Sequence, residues 1–246
     1  MVDQQLARSF EGIGAEYDRY RPGFPVAAAE AIVPDRVGAV LDLGAGTGKF
    51  TVLLGPRADR VTAVEPSTAM LDVLRAKLPS VEAHLAAAEQ IPLADDTMDA
   101  VTVAQAFHWF DRDAACAEIR RVLVPGGTLG LLWNHSDASC SWDRECHRVA
   151  HPAVSLERDG TTASAADELP GFAFEGRTEV SWSEHITRQD YIRRWLTVSS
   201  FLAADEQTRA GMVAQLNSIL DADPATADRS TFILPIVTEI YVYRSV

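Results

Sequence analysis

The feature that most constrains this chain is AVLDLGAGTGKF, residues 39–50, where an apolar run ends in Gly44, Gly46 and Gly48. A short apolar run bounded by turn formers reads as a buried strand. Glycines at such a turn permit positive φ and let backbone approach a ligand with no Cβ in the way. A helix starting directly after the turn offers unpaired N–H groups to an electron-rich group. Strand, glycine turn and helix in that order point to an α/β protein with a ligand at the first strand's end.

The rest of the chain repeats the alternation. VTAVE (61–65), VEAHL (81–85), DAVTVAQ (99–105) and TLGLLW (128–133) read as further strands. Helices are expected over Gly48–Leu54, Ser67–Leu78 and Asp111–Leu123, with Ser67 and Asp111 as N-caps. Such alternation implies a parallel sheet with right-handed crossovers. After Trp133 the rhythm breaks, and turn formers crowd SDASCSW and RDGTTASAADELPG. A strand over 177–184, helices over 188–202 and 205–221, and a final strand over 233–244 follow. The expected architecture is a doubly wound, mostly parallel seven-stranded α/β sheet in a single domain, 1–246. Residues 1–35, 134–175 and 186–230 are expected as covering segments.

Three ligand readings compete for the glycine turn. The dinucleotide fingerprint needs a third glycine where Lys49 stands. A phosphate loop needs glycine at 43 and a hydroxyl at 50, which are Leu43 and Phe50. What remains is G-x-G-x-G, with Asp42 in the strand end and Glu65 ending the next strand, 21 residues after Gly44. A carboxylate there accepts from two ribose hydroxyls, which suits a nucleoside lacking a pyrophosphate.

LDLGAGTGKFT, AVEPSTAM, AAEQIPLADDTMDAVTVAQAFHWFD and RVLVPGGTLGLLWN together resemble the class I S-adenosylmethionine-dependent methyltransferases, continuously over about residues 38–134. Within them the chain is most similar to the small-molecule branch that includes trans-aconitate methyltransferase-like enzymes (methyltransferase type 11), and AEYDRYRPGFP and LPIVTEIYVYR look like that branch too. The resemblance implies a Rossmann-like methyltransferase fold and S-adenosylmethionine as cofactor. It implies Gly44, Ala45 and Gly46 along the methionine and ribose, Glu65 on the ribose hydroxyls, and Pro66 and Met70 on the adenine. Ala88 and Glu89 would flank the adenine edge, with Ala87 where many relatives carry an acid. Gln105 and Ala106 would sit beneath the sulfonium.

Composition bounds the partners. The formal net charge is −13 without a local Lys/Arg cluster, which disfavours nucleic acid and anionic membrane surfaces. Three cysteines make no disulfide framework. The N-terminus lacks a signal-peptide run, and no apolar stretch approaches the roughly 20 residues a bilayer requires, so a cytoplasmic protein is expected. His135, Cys140, Cys146, His147 and His151 match no zinc-site spacing, and no metal is expected.

Candidates for the acceptor site follow the strand ends. His108 and Trp109 come after the fourth strand, and Asn134 and His135 after the fifth. Tyr20 and Arg21 precede Pro22, where an Arg–Pro hinge would close over the site and pair a carboxylate of cofactor or substrate; the alternative is a packed N-terminal helix with Arg21 solvated. Tyr191, Trp195 and Ser199, four residues apart, would share one helix face. The expected activity is methyl transfer to a small molecule, on oxygen, in a monomer or homodimer. A carboxylate acceptor needs no base, whereas a hydroxyl needs one, for which His108 or His135 would serve. The alternatives are a nicotinamide-dependent oxidoreductase and a non-catalytic cofactor-binding regulator.

Overall fold

The computed structural model describes residues 13–151 and 168–246. Its centre is one seven-stranded sheet: β1 (Val37–Leu43), β2 (Ala58–Glu65), β3 (Glu82–Leu85), β4 (Met98–Ala104), β5 (Leu123–Ser136), β6 (Phe172–Thr187) and β7 (Thr231–Ser245). The order is β3-β2-β1-β4-β5-β7-β6. The first five strands pair in parallel, and β7 runs antiparallel between β5 and β6. Strand order therefore reverses between β1 and β4, and the carboxyl ends of those strands open a crevice there.

The central strands are buried on both faces, which is why they read as continuous apolar runs. On one face Leu41, Val101, Leu129, Leu131 and Trp133 pack with Ala115, Cys116, Ile119 and Val122 of a helix over Arg112–Val122. On the other, Val40, Leu132 and Ile240 meet Ala28, Ala29 and Ile32 of a helix over Val26–Ile32, together with Phe50 and Leu54. Each large apolar side chain buried this way contributes roughly 1.5–3 kcal/mol. Residues 26–33, expected as part of a covering segment, form this second layer of the core.

In chain order the described helices are α1 (Gly14–Tyr20), α2 (Val26–Ile32), α3 (Thr51–Leu54), α4 (Thr68–Lys77), α5 (Arg112–Val122), α6 (Ser141–Ala150), α7 (Arg188–Leu196), α8 (Ser199–Ala203) and α9 (Glu206–Ala222). Ser67 and Asp111 cap α4 and α5 as expected, accepting from the N–H groups of Met70 and Ala114. Helices α6 to α9 and the ends of β6 and β7 enclose a second core around Trp142, Tyr191, Trp195, Phe201 and Leu216.

Several expectations are corrected. The helix after the glycine turn begins at Thr51 and not at Gly48, because Gly48 has φ +79°. β5 begins at Leu123, five residues before its expected start, because Pro125–Gly127 form an irregularity inside the β4–β5 pairing. The helix expected over 188–202 is two helices, since Thr197 leaves helical geometry and Val198 is extended. Ser199 thus starts α8 and does not share a continuous face with Tyr191 and Trp195. Residues 152–167 of the expected 134–175 covering segment, and residues 1–12 of the 1–35 segment, lie outside the described residues.

Gly130 on β5 shows how close α2 lies: a Cβ there would stand 2.4–2.6 Å from three Ile32 side-chain carbons. Gly130→Ala is expected to lower stability by about 1–3 kcal/mol through overpacking. Adding Ile32→Ala should recover part of that loss; equal melting temperatures for wild type and Gly130→Ala would contradict the packing described.

Candidate active site

Parallel pairing of β1 with β2 sets Leu43 beside Val64, so the turn after β1 leaves next to the end of β2. Gly44 and Ala45 both donate their N–H to the Val64 carbonyl, at 2.8 and 3.1 Å. Gly44, Gly46 and Gly48 have φ of +69°, +55° and +79°, a region that glycine enters without a side-chain clash. The Glu65 carboxylate then fastens the loop: Gly46 donates to Oε2 at 2.8 Å and Ser67 to Oε1 at 2.9 Å. Each oxygen keeps a further lone pair for another donor. Burial pushes the Glu65 carboxyl above its ordinary range, and the two backbone bonds oppose that shift. A Cβ on Gly46 would meet only the Met70 sulfur, at 3.7 Å, so this side of the loop is a shallow open cradle. Beneath the loop Asp42 is fully buried, accepting from Thr51 at 2.6 Å and Thr102 at 2.9 Å.

Across the crevice β4 ends at Ala104, and Gln105 adopts φ +57°, which is unusual for a side-chain-bearing residue. Its N–H bonds the Leu132 carbonyl at 2.9 Å and its side-chain Nε2 donates to the Asn134 carbonyl at 3.2 Å. Ala106 approaches the glycine turn so closely that a Cβ on Gly44 would lie 2.6 Å from its methyl. A short 3₁₀ turn, Phe107–Trp109, follows, with Phe107 buried and His108 and Trp109 half-buried. The Trp133 indole donates to His108 Nδ1 at 3.5 Å, and His135 Nε2 lies 3.3 Å from the buried Glu239, which also pairs with Arg177. The Asn134 amide donates to the Gly23 carbonyl at 2.9 Å and accepts from Thr238 at 2.6 Å.

Met70 and Ala88 are buried and Pro66 is exposed at the rim. Glu89 accepts from the Asp111 N–H at 2.8 Å, at the start of α5. Tyr20 is buried, and its hydroxyl accepts from Arg193 of α7. Arg21 Nε is withdrawn from solvent and has no hydrogen-bond partner among the described residues. Its guanidinium stacks 5.3 Å from the Tyr17 ring, and burial is the main influence lowering its pKa. Arg194 and Lys49 lie within electrostatic reach of it, and Glu184, near both Lys49 and Arg194, pairs with Arg194 at 3.3 Å. Trp195 is buried against His147 with its indole N–H unpartnered among the described residues, and Ser199 is half-buried.

The structure thus gathers the glycine loop, Glu65, Gln105 and Ala106 at one crevice. Sequence reasoning missed Lys49, Arg194 and Glu239. Glu239 had a visible signal, being a lone acid inside the apolar run ILPIVTEIYVYR. Lys49 was weighed only as a misfit to the dinucleotide fingerprint. His147 and His151 lie side by side with ring centroids 4.9 Å apart, and no group of three or more metal-binding side chains gathers among the described residues.

Known proteins are similar to this chain. A model described as a methyltransferase domain matches residues 41–131. An uncharacterised methyltransferase of Mycobacterium tuberculosis is 39% identical over 96% of this chain and 95% of its own. One from Schizosaccharomyces pombe is 30% identical over 96% of each. A solved Anaeromyxobacter dehalogenans protein, assigned as a type II methyltransferase, superposes with a TM-score of 0.70 at 25% identity, covering 92% of this chain and 97% of its own. Phosphoethanolamine N-methyltransferase 2 of Haemonchus contortus, solved with S-adenosylhomocysteine, shares the fold at a TM-score of 0.52 and 19% identity, covering 99% of this chain and 59% of its own. The chain belongs to the class I S-adenosylmethionine-dependent methyltransferases. It is a methyl-transferring enzyme with S-adenosylmethionine as cofactor, which sets the nicotinamide alternative aside. The open cradle at Gly46 and the spare acceptor capacity of Glu65 fit that nucleoside.

Burial pushes Asp42 up to about 6 from 3.8, against the two threonine bonds. A raised carboxyl favours the folded state while protonated, so its contribution is present below about pH 4 and lost as pH rises through about 6. Asp42→Asn is therefore expected to stabilise the protein at pH 7.5 by about 1–3 kcal/mol. The gain should shrink as pH falls from 6 to 4. Thermal melts of both proteins across that range check the sign, and a gain that grows towards low pH would refute it.

Proposed function

We propose that the enzyme transfers a methyl group to a carboxylate oxygen of a small organic acid. The observation that supports this most is Arg21, a buried guanidinium that bonds Tyr17 yet keeps an Nε hidden from water and unpartnered among the described residues, with Lys49 and Arg194 within electrostatic reach. A buried donor without a partner costs about 1–3 kcal/mol until a ligand fills it. In a chain of net charge −13, such a cationic pocket selects an anion. Glu65 holds the ribose, with the glycine loop along the methionine portion, Met70 and Pro66 on the adenine, and Ala88 and Glu89 at its edge. Gln105 and Ala106 floor the reacting centre. Tyr20, Trp109, Asn134, Trp195 and Ser199 surround or support the acceptor's place.

The bound cofactor supplies an already activated methyl sulfonium. The chain's own task is then alignment and exclusion of water. A carboxylate is nucleophilic as it stands, so no residue has to remove a proton. This agrees with His108, whose Nδ1 is occupied in accepting from the Trp133 indole. The acceptor is a metabolite and not a macromolecule, and we place the enzyme in the cytoplasm as a monomer or homodimer, in keeping with three free cysteines. No helix among the described residues is long and apolar enough to cross a membrane.

A second reading has one observation behind it. His135 lies 3.3 Å from the buried Glu239, a base-and-orienter arrangement that a hydroxyl acceptor would need.

The test is a screen of small carboxylic acids and hydroxylated metabolites for S-adenosylhomocysteine formation. With a carboxylate acceptor, Arg21→Gln should raise the acceptor KM by at least about tenfold, the loss of one charge-assisted bond. Affinity for S-adenosylhomocysteine should hold, which separates the acceptor's carboxylate from the cofactor's own. His108→Ala and His135→Ala should leave kcat within about tenfold of wild type and its pH profile unchanged. A kcat that collapses in His135→Ala and in Glu239→Gln, on a hydroxylated acceptor, would favour the second reading instead.

A further inference from the structure

Three polar side chains stand in a row across the face of the sheet that packs on α2. The face is otherwise apolar there, with Leu132, Ile240 and Val180 as neighbours. Asn134 of β5 is the register partner of Thr238 of β7, and Trp182 of β6 lies two residues on from Val180, the partner of Thr238 on its other side. The Trp182 indole donates to Thr238 Oγ1 at 2.9 Å, the Thr238 hydroxyl donates to Asn134 Oδ1 at 2.6 Å, and the Asn134 amide donates to the Gly23 carbonyl at 2.9 Å.

The direction of this chain is forced at both ends. An indole N–H can only donate and a backbone carbonyl can only accept, so the hydroxyl must accept from Trp182 and give its own proton to Asn134. The amide is thereby oriented with its nitrogen towards Gly23. Thr238 is fully buried, so no water competes for its hydroxyl. Packing alone does not require them: apolar side chains would fill the same face. Their end point is the segment 21–25, which begins with Arg21 and leads into α2. The main-chain carbonyl of Asn134 separately accepts from the Gln105 side chain at 3.2 Å, a bond outside this side-chain row.

We infer that Asn134 and Thr238 are positioning residues, and that this tether sets where the 21–25 strap stands about the reacting centre. Neither side chain has to touch cofactor or acceptor. The effect on acceptor KM rests on the reading that Arg21 takes a carboxylate. The position of the strap itself does not.

Thr238→Val keeps the shape of the side chain and removes the hydroxyl, while Thr238→Ser keeps the hydroxyl. In Thr238→Val, amide hydrogen exchange over residues 20–25 should quicken by about tenfold or more relative to the rest of the sheet. The dissociation constant for S-adenosylhomocysteine, read by calorimetry, should stay within about twofold, because Gln105 bonds the main chain of Asn134, and a larger rise overturns a role confined to the strap. With the acceptor that the screen identifies, KM should rise while kcat stays within about threefold. Thr238→Ser should restore exchange and KM. Exchange over 20–25 that matches wild type overturns the tether, and so does a serine variant that behaves like the valine one. Faster exchange with unchanged acceptor KM overturns the positioning role. Arg21→Gln is the separate control: if it leaves acceptor KM unmoved, the carboxylate reading fails while the exchange comparison still decides the tether.

Discussion

One carboxylate holds the functional end of this sheet together. Glu65 stands at the end of β2, accepts from Gly46 in the loop after β1, and accepts from Ser67, which caps α4. Two elements that would otherwise leave the sheet independently are laced to one side chain. Bonds of backbone N–H to a carboxylate are among the stronger ones in a protein, about 1.5–3 kcal/mol each. They offset the conformational entropy lost in fixing three glycines at positive φ. Removing the Glu65 side chain would therefore unlace the loop as well as take away a ligand contact, a coupling invisible from the sequence, where Glu65 read as a ribose contact alone.

How much could be read from the sequence follows from the range of each interaction. The parallel strands were legible because burial on both faces demands unbroken apolar runs, and β1 is buried from Val40 to Leu43 for that reason. The caps at Ser67 and Asp111 were legible because a cap acts within three residues. The start of β5 was hidden by Pro125, Gly126 and Gly127, which announce a turn yet lie inside the paired strand. Of the candidate site, the glycine loop and Glu65 were local and legible. The partners of Asn134 were not: it bonds Gly23 and Thr238, 111 and 104 residues away, and no local pattern encodes such a meeting. The break between α7 and α8 at Thr197–Val198 was missed because tertiary packing there overrides an otherwise helical pattern.

Charge is distributed in opposite senses inside and out. The chain as a whole carries −13, yet the group around Arg21 contains two further cations against Glu184, with Asp18 already paired to Lys77 at 2.5 Å. Burial lowers the pKa of both Arg21 and Lys49, a sign that the folded state holds these charges at some expense. An anionic acceptor bound there, as we propose, would relieve that expense.

Gln105 brings these threads together. A left-handed conformation at a residue with a Cβ costs roughly 1–2 kcal/mol, and glycine would avoid the cost. Glycine would also lose the side-chain bond to the Asn134 main-chain carbonyl, and with it a tie between the end of β4 and β5. For a reaction whose electrophile arrives already activated, geometry is the main contribution left to the protein. A strained residue tied twice to β5, by its N–H to Leu132 and its amide to Asn134, has little room to move. The strain and the ties explain each other: the ties hold a conformation the backbone would otherwise leave, and that conformation turns the chain from the sheet towards Ala106 and the glycine loop.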